Sequence, residues 1–281
     1  MGKTLDDDRI ARYRADGYLC PLTVLEPAEA ARFRAALEAA EAAAGGALPA
    51  PFRHKPHLVY RWAQELIRHP RILDAVEDLI GPDILAWETV FFIKEPKTPD
   101  FISWHQDITY WGLDYEGDVV TAWLALSPST PLSGCMRVVP GTHRRDVVAH
   151  RDTFDEKNLL SRGQEIEVEV DEADAVDLVL EPGQMSLHHV KIFHGSHPNR
   201  ADDRRIGFAI RYLPPQVATQ AGADSATLVR GVDRFGHFEA EPAPAADLAP
   251  EAVAYHTAVR ERRMGVLMRG AERPAATAPA G

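Results

Sequence analysis

Trp104-His105-Gln106-Asp107, followed closely by Tyr110-Trp111, is the stretch on which the fold is read. It follows a strand-like run. On an extended backbone successive side chains alternate faces, so His105 and Asp107, two residues apart, point the same way. An imidazole nitrogen with a carboxylate oxygen suits a borderline divalent ion, and two histidines plus one carboxylate on one face leave positions open for substrate and dioxygen. Such a set needs a third donor. His194, in Phe193-His194-Gly195-Ser196, is the candidate, because it too ends an apolar strand-like run and is trailed by a cluster of arginines. The plain alternative is a buried histidine paired with its neighbour's carboxylate, in a chain that has 12 histidines. The conjunction favours the metal: the donors fall at strand ends on either side of one β-rich region, where a barrel brings them together at its mouth.

Outward from this stretch, Ile84 to Ile93 is β-branched and aromatic, and Val119 to Leu126, Cys135 to Val139, Val176 to Leu180, Met185 to Ile192 and Ile206 to Leu213 read as further strands. Glu165 to Val170 alternates charged and branched residues, the pattern of a strand with one wet face. The first third reads as helical: Leu5 to Asp16 before Gly17, Pro27 to about Ala44 before Gly45-Gly46, and Pro70 to Ile80 before Gly81-Pro82, with a short strand-like piece from Tyr18 to Val24. Many short strands preceded by helices predict an antiparallel barrel or jelly roll with a helical layer on one side. Pro250 to Arg263 reads as a modest helix and 271–281 as a disordered tail.

At 281 residues and 45% apolar content the chain can bury the core of one large domain, taken as 1–270. A formal charge of −11 opposes a phosphate backbone, so nucleic acid is not an expected partner. Cys20 and Cys135 lie far apart without metal-ligand spacing and read as reduced residues of a cytoplasmic protein. The opening Met1 to Asp6 lacks the apolar core of a signal peptide, no run has the length to cross a bilayer, and no coiled-coil pattern argues for assembly, so a monomer off the membrane is expected.

The arginine cluster decides which metal chemistry is read. Activating dioxygen needs an electron source, and a 2-oxo acid supplies one by chelating the ion and losing carbon dioxide. Its distal carboxylate then needs a buried cation, and a guanidinium matches it with two parallel hydrogen bonds. Arg205, at the start of Ile206 to Leu213, takes that role; Arg200, Arg204 and Arg211 are read as a solvated basic face answering Asp202 and Asp203.

With those residues in view, the chain resembles the phytanoyl-CoA dioxygenase family of iron- and 2-oxoglutarate-dependent oxygenases from about Tyr13 to Pro215. The motifs that carry the resemblance are Trp104 to Asp107, Val120 to Leu126, Gly134 to His143, and His194 to Asn199 followed by Arg204-Arg205. The resemblance implies a double-stranded β-helix, the cupin-like jelly roll, buttressed by helices over about 5–82. It implies Fe(II) held by His105, Asp107 and His194, and 2-oxoglutarate as cosubstrate with dioxygen. Arg205 would hold its far carboxylate, Ser196 would donate to the same group, and Trp123 would pack beside it. Related halogenases lack the carboxylate, so Asp107 favours hydroxylation of an unactivated C–H bond, with succinate and carbon dioxide as co-products. His143 is read as structural.

Tyr110, Trp111 and His188 are expected to line the substrate cavity. Arg137 and Lys94, if they point inward, would favour a small polar or anionic substrate. The segment 216–241 is a candidate lid facing a wall formed by His54 to Trp62. The same site would also serve desaturation, cyclisation or epimerisation, and a zinc-bearing or empty cupin-like binding module is the alternative outside enzymes.

Overall fold

Helices come first, each bounded by residues suited to a terminus. A computed structural model describes residues 2–113, 119–220 and 222–267, the side chains of 110 and 267 excepted; the tail 271–281 therefore lies outside the described residues. Asp6 caps α1 (Asp7–Asp16) by accepting from the Arg9 N–H at 2.8 Å, and Gly17 ends it at φ 84°. α2 (Pro27–Ala43) and α4 (Pro70–Ile80) open on proline, as expected. Between them lies α3 (Arg61–Ile67), a helix not expected from the sequence, which begins at the end of the His54 to Trp62 wall. α5 (Pro250–Leu267) follows all the strands.

The strands are β1 (Tyr18–Thr23), β2 (Ile84–Lys94), β3 (Ile102–His105), β4 (Val120–Ala125), β5 (Met136–Val139), β6 (His150–Arg151), β7 (Glu165–Ile166), β8 (Val176–Asp177), β9 (Gln184–His189), β10 (Phe193–Ser196), β11 (Arg205–Leu213), β12 (Ser225–Arg230) and β13 (Glu239–Ala240). Seven of them form a sheet in the order β1-β9-β4-β11-β2-β12-β13, four form a second in the order β3-β10-β5-β8, and β6 pairs with β7. All partners are antiparallel except β12 and β13.

Alternation along the long strands sorts the larger sheet into two faces. Ile206, Phe208, Ile210 and Tyr212 of β11 join Val120, Ala122 and Leu124 of β4 and Met185 and Leu187 of β9 in the core under the helices. Arg205, Ala209 and Arg211 face the opposite way, with Thr121, Trp123 and His188, into a cavity that β3 and β10 close from the other side. Gly207 lies on that inner face because no side chain fits there: a Cβ would stand 1.8 Å from Cζ2 of Trp123.

Two expectations need correction. Of Glu165 to Val170, only Glu165–Ile166 is strand, because its partner β6 is itself two residues long and alternation without a ladder does not hold a strand. The segment 216–241, loop-like in sequence, contains β12, which pairs with β2 at the side of the larger sheet, and Arg230 and Arg234 bond Asp74, Glu77 and Asp83.

A buried polar layer ties this late segment to the early one. Glu241 accepts from Lys55 and bonds His57 Nε2 (3.0 Å), Ser225 Oγ (2.8 Å) and Thr227 Oγ1 (2.7 Å), while His57 Nδ1 meets Thr89 Oγ1 at 2.7 Å. Lys55 and His57 are 3% and 0% exposed, so these bonds replace water entirely.

Candidate metal centre

His105 and His194 are direct cross-strand partners of β3 and β10, with ring centroids 4.0 Å apart. Each ring is oriented the same way: His105 Nδ1 lies 2.9 Å from the Ser103 carbonyl and His194 Nδ1 3.0 Å from that of Ile192. A carbonyl only accepts, so each Nδ1 carries the proton and each Nε2 presents a lone pair inward. Gln106 remains extended (φ −113°, ψ 130°), which keeps Asp107 on the face of His105 before a short 3₁₀ turn begins. Asp107 Oδ1 stands 3.5 Å from His105 Nε2 and 3.9 Å from His194 Nε2, and one donor atom from each of the three residues lies within 4.8 Å of the others. Oδ2 of Asp107 is buried without a partner. Two imidazole lone pairs and a carboxylate converging in a dry site repel one another unless a cation lies between them.

The surrounding charge keeps these groups in ligand form. Burial pushes the Asp107 carboxyl up, but the Arg211 guanidinium at 3.5 Å and the two imidazoles outweigh it, and the group lies well below the usual carboxylate range. Burial, then the neighbouring His105, holds His194 well below the ordinary histidine value. His188, 1% exposed and 5.1 Å from the His194 ring, is lowered to about 4 by burial, with its Nδ1 unpaired.

At the other end of the same cavity, of about 390 Å³, Arg205 is 1% exposed. Its Nη1 donates to the Gly134 carbonyl at 3.1 Å, its Nε and Nη2 have no partner, and the Trp123 ring lies 5.2 Å from the guanidinium carbon. Gly134 can sit there because it adopts φ +70°, and a Cβ would meet the His197 carbonyl at 2.2 Å. Beside it Lys94, fully buried, donates to Ser196 Oγ and to the His197 carbonyl, both at 2.6 Å. Burial and then Arg205 push the Lys94 ammonium down to about 6, and burial brings Arg205 down to about 10. Among the described residues no carboxylate forms an ion pair with either, so the pair is a cradle for an anion.

The other candidates divide. Ser196, Trp123 and His188 line the cavity. Lys94 is buried, as the inward reading required, and is the cross-strand partner of Arg205. Arg137 does not reach the cavity: its guanidinium is held by Glu172 and Asp177 and lies against Trp104, on the far side of the smaller sheet. Trp111 packs against Trp87 with the Arg211 guanidinium 4.8 Å above its ring, one layer behind the donors. The side chain of Tyr110 lies outside the described residues. His143 contacts the Arg14 carbonyl at 3.1 Å, away from the donors. Arg204 is taken by Glu41 and Glu95, whereas Arg211, read as part of a solvated face, is 6% exposed and enters the site. Parity could have found it: Arg205 and Arg211 are six residues apart on one strand and share a face.

The phytanoyl-CoA dioxygenase family model matches residues 13–207, a span that holds all three donors and Arg205. The chain belongs to the phytanoyl-CoA dioxygenase family. Among solved structures it is similar to the non-heme monooxygenase ThoJ in its apo form, at 39% identity and a TM-score of 0.82 over 92% of this chain and 97% of that one. It is also similar to CytC3 with Fe(II) and alpha-ketoglutarate, at 26% identity and 0.64 over 84% and 93%. A probable alpha-ketoglutarate-dependent hypophosphite dioxygenase of Stutzerimonas stutzeri is 28% identical over 186 residues, which cover 66% of this chain and 61% of that protein. The chain thus spans less than two thirds of this curated relative. The fold is a double-stranded β-helix, and the cofactors that go with this family are Fe(II) and 2-oxoglutarate. The residues present fit both: an open two-histidine, one-carboxylate face for the metal and unpaired buried cations for the diacid.

Proposed function

We propose that the protein is an Fe(II)- and 2-oxoglutarate-dependent dioxygenase that hydroxylates an unactivated C–H bond of a small polar or anionic molecule. His105, Asp107 and His194 hold the iron on one face. Arg205 takes the far carboxylate of 2-oxoglutarate, with Lys94 adding charge and Ser196, already accepting from Lys94, free to donate its own proton to that group. When bound, iron and 2-oxoglutarate supply the oxidising chemistry with dioxygen, releasing succinate and carbon dioxide. The chain's own groups position and protect. The Ser103 and Ile192 carbonyls fix the two imidazoles, Arg211 keeps Asp107 ionised, and Trp123 closes one side of the cradle against water. Asp107 is a ligand throughout and carries no proton.

The observation that carries this reading is the pairing, in one cavity, of a three-donor metal face with buried cations that have no counter-ion. A zinc-bearing or empty binding module gives those cations no role. The test is anaerobic addition of Fe(II) and 2-oxoglutarate, which should produce a weak visible charge-transfer band that His194→Ala and Arg205→Ala abolish. Succinate release against a panel of small polar metabolites, with mass analysis for a gained oxygen atom, then identifies the reaction. Absence of the band in wild-type protein at saturating additions overturns the reading.

A further inference from the structure

A second cavity, of about 480 Å³, abuts the metal cavity between the inner face of β2 and α5. The two adjoin because Glu88, which lines the second, is the cross-strand partner of Arg211, which lines the first, and because Leu160 lines one and Ser161 the other. The chamber is therefore a neighbour of the cavity that holds the three donors.

Most polar groups in and beside the chamber are matched one by one, and three are left over among the described residues. Lys55 is neutralised by Glu241, and Arg211 answers Asp107. Arg263, lying over the Trp87 ring at 4.1 Å, has two acids, Asp224 at 3.1 Å and the Oε2 of Glu88 at 3.4 Å. Glu88 is 8% exposed, and its Oε1 is buried with no hydrogen-bond partner among the described residues. A second acceptor lies near by: His256 donates from Nε2 to the His54 carbonyl at 2.8 Å, so its buried, unpaired Nδ1 holds a lone pair. On the opposite account, Arg260 of α5 lines the chamber, half-buried, with no ion pair or hydrogen bond among the described residues. His54 shows how close these charges stand. It is open to solvent on one side, yet burial lowers its imidazole, Glu88 opposes that, and Arg211, Arg260 and Arg263 all add to it.

We infer that this chamber is the substrate site and selects a small zwitterion of amino-acid type, whose ammonium or N–H group sits on Glu88 and His256 and whose carboxylate reaches Arg260. An anion alone would leave Glu88 Oε1 buried and unpaired, and a cation alone would leave Arg260 unanswered. Glu88 on β2 adjoins Arg211, while His256 and Arg260 lie one turn apart on α5, so the ligand bridges the strand and the helix. The inference rests on the oxygenase reading above and names its substrate class.

The test is binding, read from quenching of tryptophan fluorescence, since Trp87 lies directly under Arg263. The probes are the standard L-amino acids, each with the amine left by removing its carboxyl group and the acid left by removing its amino group. The measurement is made without metal and after anaerobic loading with Fe(II) and 2-oxoglutarate. At least one zwitterion should bind at least tenfold more tightly than both of its halves. Glu88→Gln should weaken the zwitterion and the amine about tenfold and leave the acid unchanged, and Arg260→Gln should weaken the zwitterion and the acid and leave the amine unchanged. Both variants should keep the wild-type melting temperature; if Glu88→Gln does not, the half-buried Arg260 decides. No bound zwitterion, equal binding of the three forms, or a zwitterion affinity indifferent to Arg260→Gln overturns the inference. If the visible band fails while zwitterion binding persists, it is the oxygenase reading that falls.

Discussion

Arg205 brings a guanidinium and Lys94 an amine that titrates at about 6 into a dry site where, among the described residues, neither pairs with an acid, and the consequence can be measured at each residue. Truncating one partner of a buried charge pair costs on the order of 3 kcal/mol, so Arg205→Ala should weaken 2-oxoglutarate by about a hundredfold in calorimetric titration while metal binding persists. Lys94 adds a pH dependence. Its ammonium titrates at about 6 in the free protein, and a bound dianion raises that value. The affinity contributed by Lys94 is therefore complete below about pH 6 and declines as pH rises through the window between the free and bound values. Binding at neutral pH should take up a proton, seen as a calorimetric heat that varies with buffer ionisation enthalpy, and Lys94→Met should remove both effects. The residue scale also shows what sequence can and cannot convey. His105, Asp107, His194 and Arg205 were legible because spacing two on a strand and a charge at a strand's start are local facts. Arg137 was misplaced for a nonlocal reason, since the acids Glu172 and Asp177 that hold it arrive some forty residues later, and the closeness of Lys94 to Arg205 was not legible because it arises only through the pairing of β2 with β11.

β11 is the element on which both ends of the cavity depend, with Arg205 at one end and Arg211 toward the other. Its central inner position, Gly207, is filled by the Trp123 indole of the adjacent β4. Gly207→Ala would drive a methyl group to within 1.8 Å of Cζ2, and the rigid ring must move. Overpacking of this kind costs about 1–3 kcal/mol. We expect a lower melting temperature together with a loss of 2-oxoglutarate affinity, because the displaced ring is the one beside Arg205. Gly134→Ala should act on the same guanidinium from the other side, since its carbonyl accepts from Arg205 and a Cβ there meets backbone. Most long strands were readable from their branched and aromatic runs, whereas Glu165 to Val170 was not: its alternation is genuine, but a strand is a property of a pair and β6 supplies only two residues.

For the whole molecule, α1 to α4 cover one face of the larger sheet while the other face and the smaller sheet enclose the site. Ligands that bind only the folded state stabilise it by mass action, about 2.7 kcal/mol at a hundredfold excess over Kd, or about 5 °C in melting temperature at this size. Anaerobic Fe(II) should raise the melting temperature of the wild type, and 2-oxoglutarate should add a second increment. In Arg205→Ala the first increment should remain and the second should vanish; a second increment of wild-type size would show that the cradle is elsewhere. This two-step response separates the metal face from the cation cradle in one thermal measurement.

The buried layer around Glu241 has a bearing on how the protein is made. Lys55 and His57 wait for an acid that lies 186 and 184 residues further along the chain. A ribosome delivers the early segment long before its counter-ion, so during synthesis an ammonium and an imidazole destined for a dry interior must stay hydrated and their loop unsettled. Closure of the wall beside His54 is thus timed to the emergence of Glu241, and a nascent chain stalled short of that residue would expose the chamber to water.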